Sequence, residues 1–188
     1  MIKKLTKYLL SILLGLGGIY LFIAEIRGNF YQIDKDAYRS GILRSYNLPY
    51  YLKKYQIKTI LNLQGESDKA WYANEIKLSK VYHIKHIDYR ISNKHYYDYN
   101  QTAHIVELLR ESPKPILIHC VGGADRTSMV AALYLYAVKG KSFLEAKKQL
   151  SWYYGHLPQL SIRKHVIAMD RSFENYVKIE KRLTNSTL

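Results

Sequence analysis

The chain has 188 residues, room for one domain with a sizeable core, and carries 29 Lys and Arg against 15 Asp and Glu, a net charge of +14. That balance points to anionic partners such as phosphorylated proteins or phospholipid surfaces, and the scatter of the basic residues argues against a nucleic-acid-binding arm. The single cysteine excludes an internal disulfide.

The first seven residues carry Lys3, Lys4 and Lys7, and Tyr8–Ala24 is a nearly apolar stretch ending before Glu25 and Arg27. With its flanks this length reaches across a bilayer. It lacks a clean small-x-small site for removal as a signal peptide, and it is apolar all round, unlike a helix packed on a domain. The reading is an uncleaved transmembrane helix within residues 1–28, ahead of a domain over residues 29–188. Its basic flank stays cytoplasmic, which places the domain on the periplasmic side of a bacterial inner membrane.

Residues 29–33 and 37–40 flank the turn Asp34-Lys35-Asp36 and predict a small hairpin. Ser45 is placed to cap a helix through Leu48 to Lys54, with Pro49 tolerated in its first turn. Lys58–Leu63 predicts a strand closed by Gln64-Gly65. Ser67 or Asp68 would cap a second helix through Trp71 to Leu78, and the alternating Val81–Ile87 predicts the next strand. The alternation of strands and helices implies a single α/β domain with a central, mostly parallel sheet flanked by helices. Functional residues in such sheets gather at the carboxyl ends of the strands.

The loop after Ile87 begins with Asp88, and Asp98 caps a helix from Tyr99 to Arg110. Pro115–Ile118 is a short, β-branched run that predicts a buried strand. It delivers His119-Cys120-Val121-Gly122-Gly123-Ala124-Asp125-Arg126-Thr127-Ser128, and Met129–Val138 then predicts a helix ended by Lys139-Gly140. Strand, glycine loop and helix N-terminus together form an anion trap: the unpaired N–H groups of the first turn point inward and the helix dipole adds positive potential. Gly122 and Gly123 let successive amides converge, and Arg126 supplies a planar, charged fork for two oxygens. The phosphate-binding residues are therefore Val121, Gly122, Gly123, Ala124, Asp125 and Arg126. The same field favours the thiolate of Cys120, an activated nucleophile beside a phosphate site. Thr127 places a hydroxyl where it can steady the sulfur as a leaving group.

Beyond the loop, Ser142 caps a helix from Phe143 to Leu150, and a longer helix runs from Ser161 to Lys181 with Ile162, Val166, Met169, Phe173 and Val177 at helical spacing. The many tyrosines, 19 in all, read as packing. His156 and His165 have no partners at metal-ligand spacing, so no metal and no cofactor is predicted.

The arrangement Cys-x5-Arg-Thr with His before the Cys resembles the signature of the cysteine-dependent protein tyrosine and dual-specificity phosphatases. Phe30 to Gly41 and Ile57 to Gly65 extend the likeness to bacterial dual-specificity-like phosphatases, including membrane-associated or exported ones. The resemblance implies a phosphomonoester hydrolase without a metal, in which Cys120 is the nucleophile, Arg126 the phosphate clamp and Asp88 the acid that protonates the leaving oxygen. Asp125, just before the arginine, is the rival acid, as in the myotubularin-type and Sac-type phosphoinositide phosphatases. Phosphotyrosine on a protein is the first substrate choice. The alternatives are a phosphoinositide or other phospholipid substrate, a non-catalytic phosphate-binding module, and a thiol redox protein.

Overall fold

The computed structural model describes residues 2–22 and 26–186. A first helix, α1 (Ile2–Leu21), precedes the domain. The hairpin β1 (Tyr31–Asp34) and β2 (Ala37–Ser40) follows, then α2 (Leu48–Lys54), β3 (Thr59–Asn62), α3 (Ala70–Val81) and β4 (Lys85–Asp88). The chain continues through α4 (Tyr99–Glu111), β5 (Ile116–His119) and α5 (Asp125–Leu133), which runs into a π-helical turn at Tyr134–Val138. It closes with α6 (Phe143–Lys147), 3-10 turns at Trp152–Tyr154 and Ser161–Val166, and α7 (Ile167–Ser186).

The five strands lie in the order β1-β2-β5-β3-β4, antiparallel only between β1 and β2. Ser40, His119, Asn62 and Asp88 stand in register at one edge, so the loops after four parallel strands open on the same side. Side chains alternate across the sheet. Ile116, Ile118 and Leu61 enter a core with Met129, Val130 and Leu133 of α5 and Phe173 of α7, whereas Leu117 and Ile60 enter a second core with Leu48 and Leu52 of α2. The sheet is thus covered on both faces, which accounts for central strands that are buried along their whole length.

Two helix starts follow the cap chemistry of the sequence. Asp98 and Gln101 form a reciprocal capping box, and so do Ser142 and Glu145. Elsewhere the structure corrects the boundaries. Asn47 and Lys69 occupy the N-cap positions of α2 and α3 without a side-chain cap bond. Val81 ends α3 and is exposed, and β4 starts only at Lys85 because the Ile84 amide first closes back on Ser79 O at 2.8 Å. The long C-terminal segment begins as 3-10 and becomes α-helical only at Ile167.

The transmembrane reading is also corrected. Among the described residues no helix is long and apolar enough to cross a membrane. Lysines occupy the first turns of α1, so its apolar part begins only at Tyr8. The end of the predicted stretch, Ile23 and Ala24, lies outside the described residues.

Candidate active site

The loop between β5 and α5 is shaped by what holds its carbonyls. Ile42 N donates to Val121 O at 3.0 Å, Asn29 Nδ2 to Gly122 O at 2.9 Å and an Arg39 terminal nitrogen to Gly123 O at 2.8 Å. In a trans peptide the C=O and the following N–H point opposite ways, so anchoring three successive carbonyls on the protein frame turns the amides of Gly122, Gly123 and Ala124 to the other side. Gly123 adopts φ +66, and a side chain there would run into the backbone of Ser40 and Gly41. This is the physical content of Gly123: the loop lies directly on the end of β2.

Arg39 is the part that sequence reasoning missed. It is fully buried and spans the underside of the loop, donating to Gln149 O and Oε1 through one terminal nitrogen and to Gly123 O and Ser128 Oγ through the other. Its guanidinium lies 3.8 Å from the centroid of the Tyr154 ring. Burial lowers its pKa to about 10, low for an arginine but still far above neutrality, so the cation persists. Ser128 is thus one of its partners.

Cys120 is buried at the floor of a cavity of about 220 Å³ lined by Asn93, Val121, Gly122, Ala124, Asp125 and Arg126. One terminal nitrogen of Arg126 donates to Gln64 Oε1 at 2.8 Å and to the carbonyls of Leu63 and Ile91 at 3.2 Å, which fixes the plane of the guanidinium. A second cavity of about 360 Å³ shares Asn93 and Arg126 and is rimmed by Arg90 and His95. Thr127 Oγ1 is buried without a hydrogen-bond partner among the described residues, so its bond to the sulfur is not formed in this structure.

The structure therefore brings together Cys120 and the six loop residues from Val121 to Arg126, with Thr127 immediately behind them. It does not bring Asp88 to the same cavity. The carboxylate of Asp88 is occupied from both sides, accepting from Asn62 Nδ2 and from the Tyr72 hydroxyl, each at 2.7 Å. Burial and this carboxylate push the Tyr72 hydroxyl up, so it remains a donor. His119 faces α3, its Nε2 3.2 Å from Glu75 Oε1, the oxygen that also meets His86 Nε2 at 2.9 Å. Burial alone would raise the Glu75 pKa, but the two histidines outweigh it and hold it at about 2. Glu75 is thus a buried anion that fixes the residue preceding the nucleophile.

The acid inside the loop has its own support. Asp125 Oδ1 is 2.9 Å from His156 Nδ1, and Asn93 Nδ2 donates to Oδ2 at 3.2 Å. Neither His156 nor Asn93 carries a sequence signal of function, because each is joined to the loop only by the tertiary fold. Among the described residues no group of three or more His, Cys, Asp or Glu is arranged to hold a metal ion.

Residues 43–174 match the family model of the dual specificity phosphatase catalytic domain. A stretch of 119 residues is 28% identical to the dual specificity protein phosphatase TpbA of Pseudomonas aeruginosa, covering 60% of this chain and 48% of that protein. The chain thus spans about half the length of the curated relatives it matches. The crystal structure of P. aeruginosa TpbA superposes with a TM-score of 0.55 at 20% identity over 81% of this chain and 93% of that one. The core catalytic domain of the PP-IP phosphatase SIW14 from S. cerevisiae gives 0.59 at 19% identity, covering 84% and 93%. At these identities the likeness to solved structures establishes the fold.

Proposed function

We infer the activity from one premise: the chain belongs to the dual specificity phosphatase family by its catalytic domain. The reaction is hydrolysis of a phosphomonoester through a phosphocysteine. The Cys120 thiolate attacks phosphorus in line while the loop amides and Arg126 hold the equatorial oxygens, and a carboxylic acid protonates the leaving oxygen. Water then releases phosphate from the sulfur. The observation that carries this reading is the loop itself, three carbonyls anchored outward above a cysteine and an arginine that share one cavity.

The acid we assign is Asp125, which lines that cavity, in place of Asp88, whose carboxylate is held by Asn62 and Tyr72. Phosphotyrosine on a protein is the substrate class we favour, and TpbA has been crystallised in complex with pTyr. A phospholipid is the second reading. It is favoured by a cleft of about 380 Å³ in which Tyr20 of the apolar α1 meets Arg44, Lys69 and the loop residues Val121 and Gly122.

Attachment of residues 1–28 to a bilayer, ahead of a phosphatase domain over residues 29–188, belongs to the same proposal. It rests on the apolar side chains of α1 from Leu9 to Tyr20, which stand exposed. Protease protection on sealed membranes decides the side on which the domain lies: digestion from the outer side of intact spheroplasts places it on the periplasmic face, and protection places it on the cytoplasmic face.

The test of the activity is p-nitrophenyl phosphate hydrolysis with EDTA present throughout. Turnover that survives EDTA, vanishes in Cys120→Ser and falls about 100-fold or more in Asp125→Asn, with a much smaller loss in Asp88→Asn, is the expected result. Vanadate binding without turnover would leave only a phosphate-binding module, and a larger loss in Asp88→Asn would return the acid role to Asp88. Phosphopeptide against phosphoinositide vesicles separates the two substrate readings.

A further inference from the structure

An acidic residue inside an anion-binding loop poses an electrostatic problem. Asp125 is buried at the N-terminal end of α5, next to Arg126, where a phosphate dianion must settle. Unless its charge is balanced, it repels the ligand that the loop is built to hold.

The balance comes from a segment distant in sequence. Gly155, at φ +84, ends the turn Trp152–Tyr154 and directs His156 beneath the loop, where the imidazole is 1% exposed. The segment is fixed on both sides: the Tyr154 ring lies over Arg39, and Tyr154 O accepts from the same Asn29 Nδ2 that holds Gly122 O. His156 Nδ1 meets Asp125 Oδ1 at 2.9 Å, and Nε2 meets Asp170 Oδ2 of α7 at 2.8 Å. The charged groups that face the imidazole are these two carboxylates, one from α5 and one from α7. With a carboxylate on each ring nitrogen, both nitrogens donate, which is the imidazolium form.

Resting on the phosphatase reading and on Asp125 as the acid, we propose that His156 is a positioning residue which, held between Asp125 and Asp170, supplies the proton that Asp125 delivers to the leaving oxygen. As the bond from Cys120 Sγ to phosphorus forms and the bond to the leaving oxygen breaks, the electron pair stays on that oxygen. The Nδ1 proton passes through the Asp125 carboxyl to it, leaving a neutral imidazole whose Nε2–H remains on Asp170. In the second step water attacks phosphorus and its proton returns through Asp125 to Nδ1. The electron pair of the broken S–P bond returns to Sγ, and the resting state is restored. Burial by itself would favour the neutral imidazole, but the hydrogen bonds and charges of the two carboxylates outweigh it, so the pKa of His156 is raised from its ordinary value, in the direction that the two-sided geometry requires.

The test is a set of pH profiles of kcat/KM on p-nitrophenyl phosphate and phenyl phosphate for the full chain, Asp170→Asn and His156→Asn. Vanadate affinity and circular dichroism are measured alongside. Removing Asp170 withdraws one carboxylate from the imidazolium, so the alkaline limb of Asp170→Asn is expected to move to lower pH by about one unit or more with vanadate affinity kept. His156→Asn is expected to lose that limb and to lose about 10-fold more on phenyl phosphate, whose leaving group needs the proton, than on p-nitrophenyl phosphate. Equal losses on both substrates with the limb unmoved would overturn the proposal, because a purely structural brace lowers both alike. Should His156→Asn fail to fold, Asp170→Asn decides: an unmoved limb overturns the proposal. A full chain without turnover would instead remove the phosphatase reading on which it rests.

Discussion

Replacing Gly123 by alanine tests the claim that the loop lies on the end of β2. A Cβ at this position would stand 2.5 Å from Gly41 N, 2.5 Å from the Ser40 carbonyl carbon and 2.7 Å from Ser40 O, and at φ +66 the alanine would be in the left-handed region. Ordinary contacts between such atoms are about 3.5–4.0 Å, so roughly 1 Å must be found between two stretches of backbone, neither of which ends in a flexible side chain. The left-handed conformation costs about 1–2 kcal/mol and the overlap about 1–3 more. A central value of about 3 kcal/mol is a large part of a domain's stability and lowers Tm by roughly 6–12 °C at this size. Because the Gly123 carbonyl is the one that Arg39 holds, the shift also displaces the amide of Ala124, and a misplacement of about 1 Å costs about 100-fold in turnover. The control is Gly122→Ala, whose Cβ would meet nothing within 4 Å and whose Tm should stay within about 1–2 °C. Thermal unfolding and kcat/KM on p-nitrophenyl phosphate measure both. A Gly123→Ala protein with unchanged Tm and activity within about twofold would refute the loop geometry.

Arg39→Lys keeps the charge but cannot reach Gln149 on one side and Gly123 and Ser128 on the other; urea unfolding should show a loss of about 3 kcal/mol, with a fall in vanadate affinity. Glu75→Gln removes the anion shared by His119 and His86 and should cost about 2–3 kcal/mol at neutral pH. Because the folded value of Glu75 lies below its ordinary 4.5, the stability it contributes is complete above pH 4.5 and fades as pH falls toward about 2; urea titrations across that window should show this limb in the native chain and not in Glu75→Gln. His156 has the opposite sign. Its folded value is raised, so its contribution is whole below pH 6.5 and is lost as pH rises from there through the raised folded value, and the loss should be smaller in Asp170→Asn.

The sequence carries the parts of the fold that depend on near neighbours. The strand Ile116–His119, the glycine loop and α5 are contiguous, so their chemistry is readable in one line of residues, and Asp98 and Ser142 declare their helices because a capping box closes within three residues. What was not readable depends on pairings across the fold. Arg39 looks like one more exposed cation on a small hairpin, yet it joins residues 84, 89 and 110 positions away beneath the loop. Asp88 ends a strand, where an acid would be expected, and only the packing of α3 and the pairing of β3 with β4 reveal that Tyr72 and Asn62 already use it. The tyrosines read as packing include Tyr154, whose ring covers the Arg39 guanidinium.

The hidden pairs obey one constraint, that a charge taken out of water must be matched where it is buried. Under the loop the match is made in two chains of partners. Arg39, the cation against the Gly123 carbonyl, has no carboxylate among its hydrogen-bond partners: its terminal nitrogens are satisfied by neutral oxygens beside an aromatic face, and its Nε has no hydrogen-bond partner among the described residues, so its positive potential stays available to the anion above. Asp125, an anion in the same loop, is matched by His156 and His156 by Asp170, which carries the compensation toward α7 and away from the phosphate position. A chain with Ala in place of Asp125 would have no need of His156 or Asp170, and that dependence is why the three residues make sense only as a unit. It also sets the test of the unit. In a double-mutant cycle, Asp125→Asn and His156→Asn should lose far less together than the sum of their separate losses in turnover, whereas additive losses would mean that the two side chains act independently.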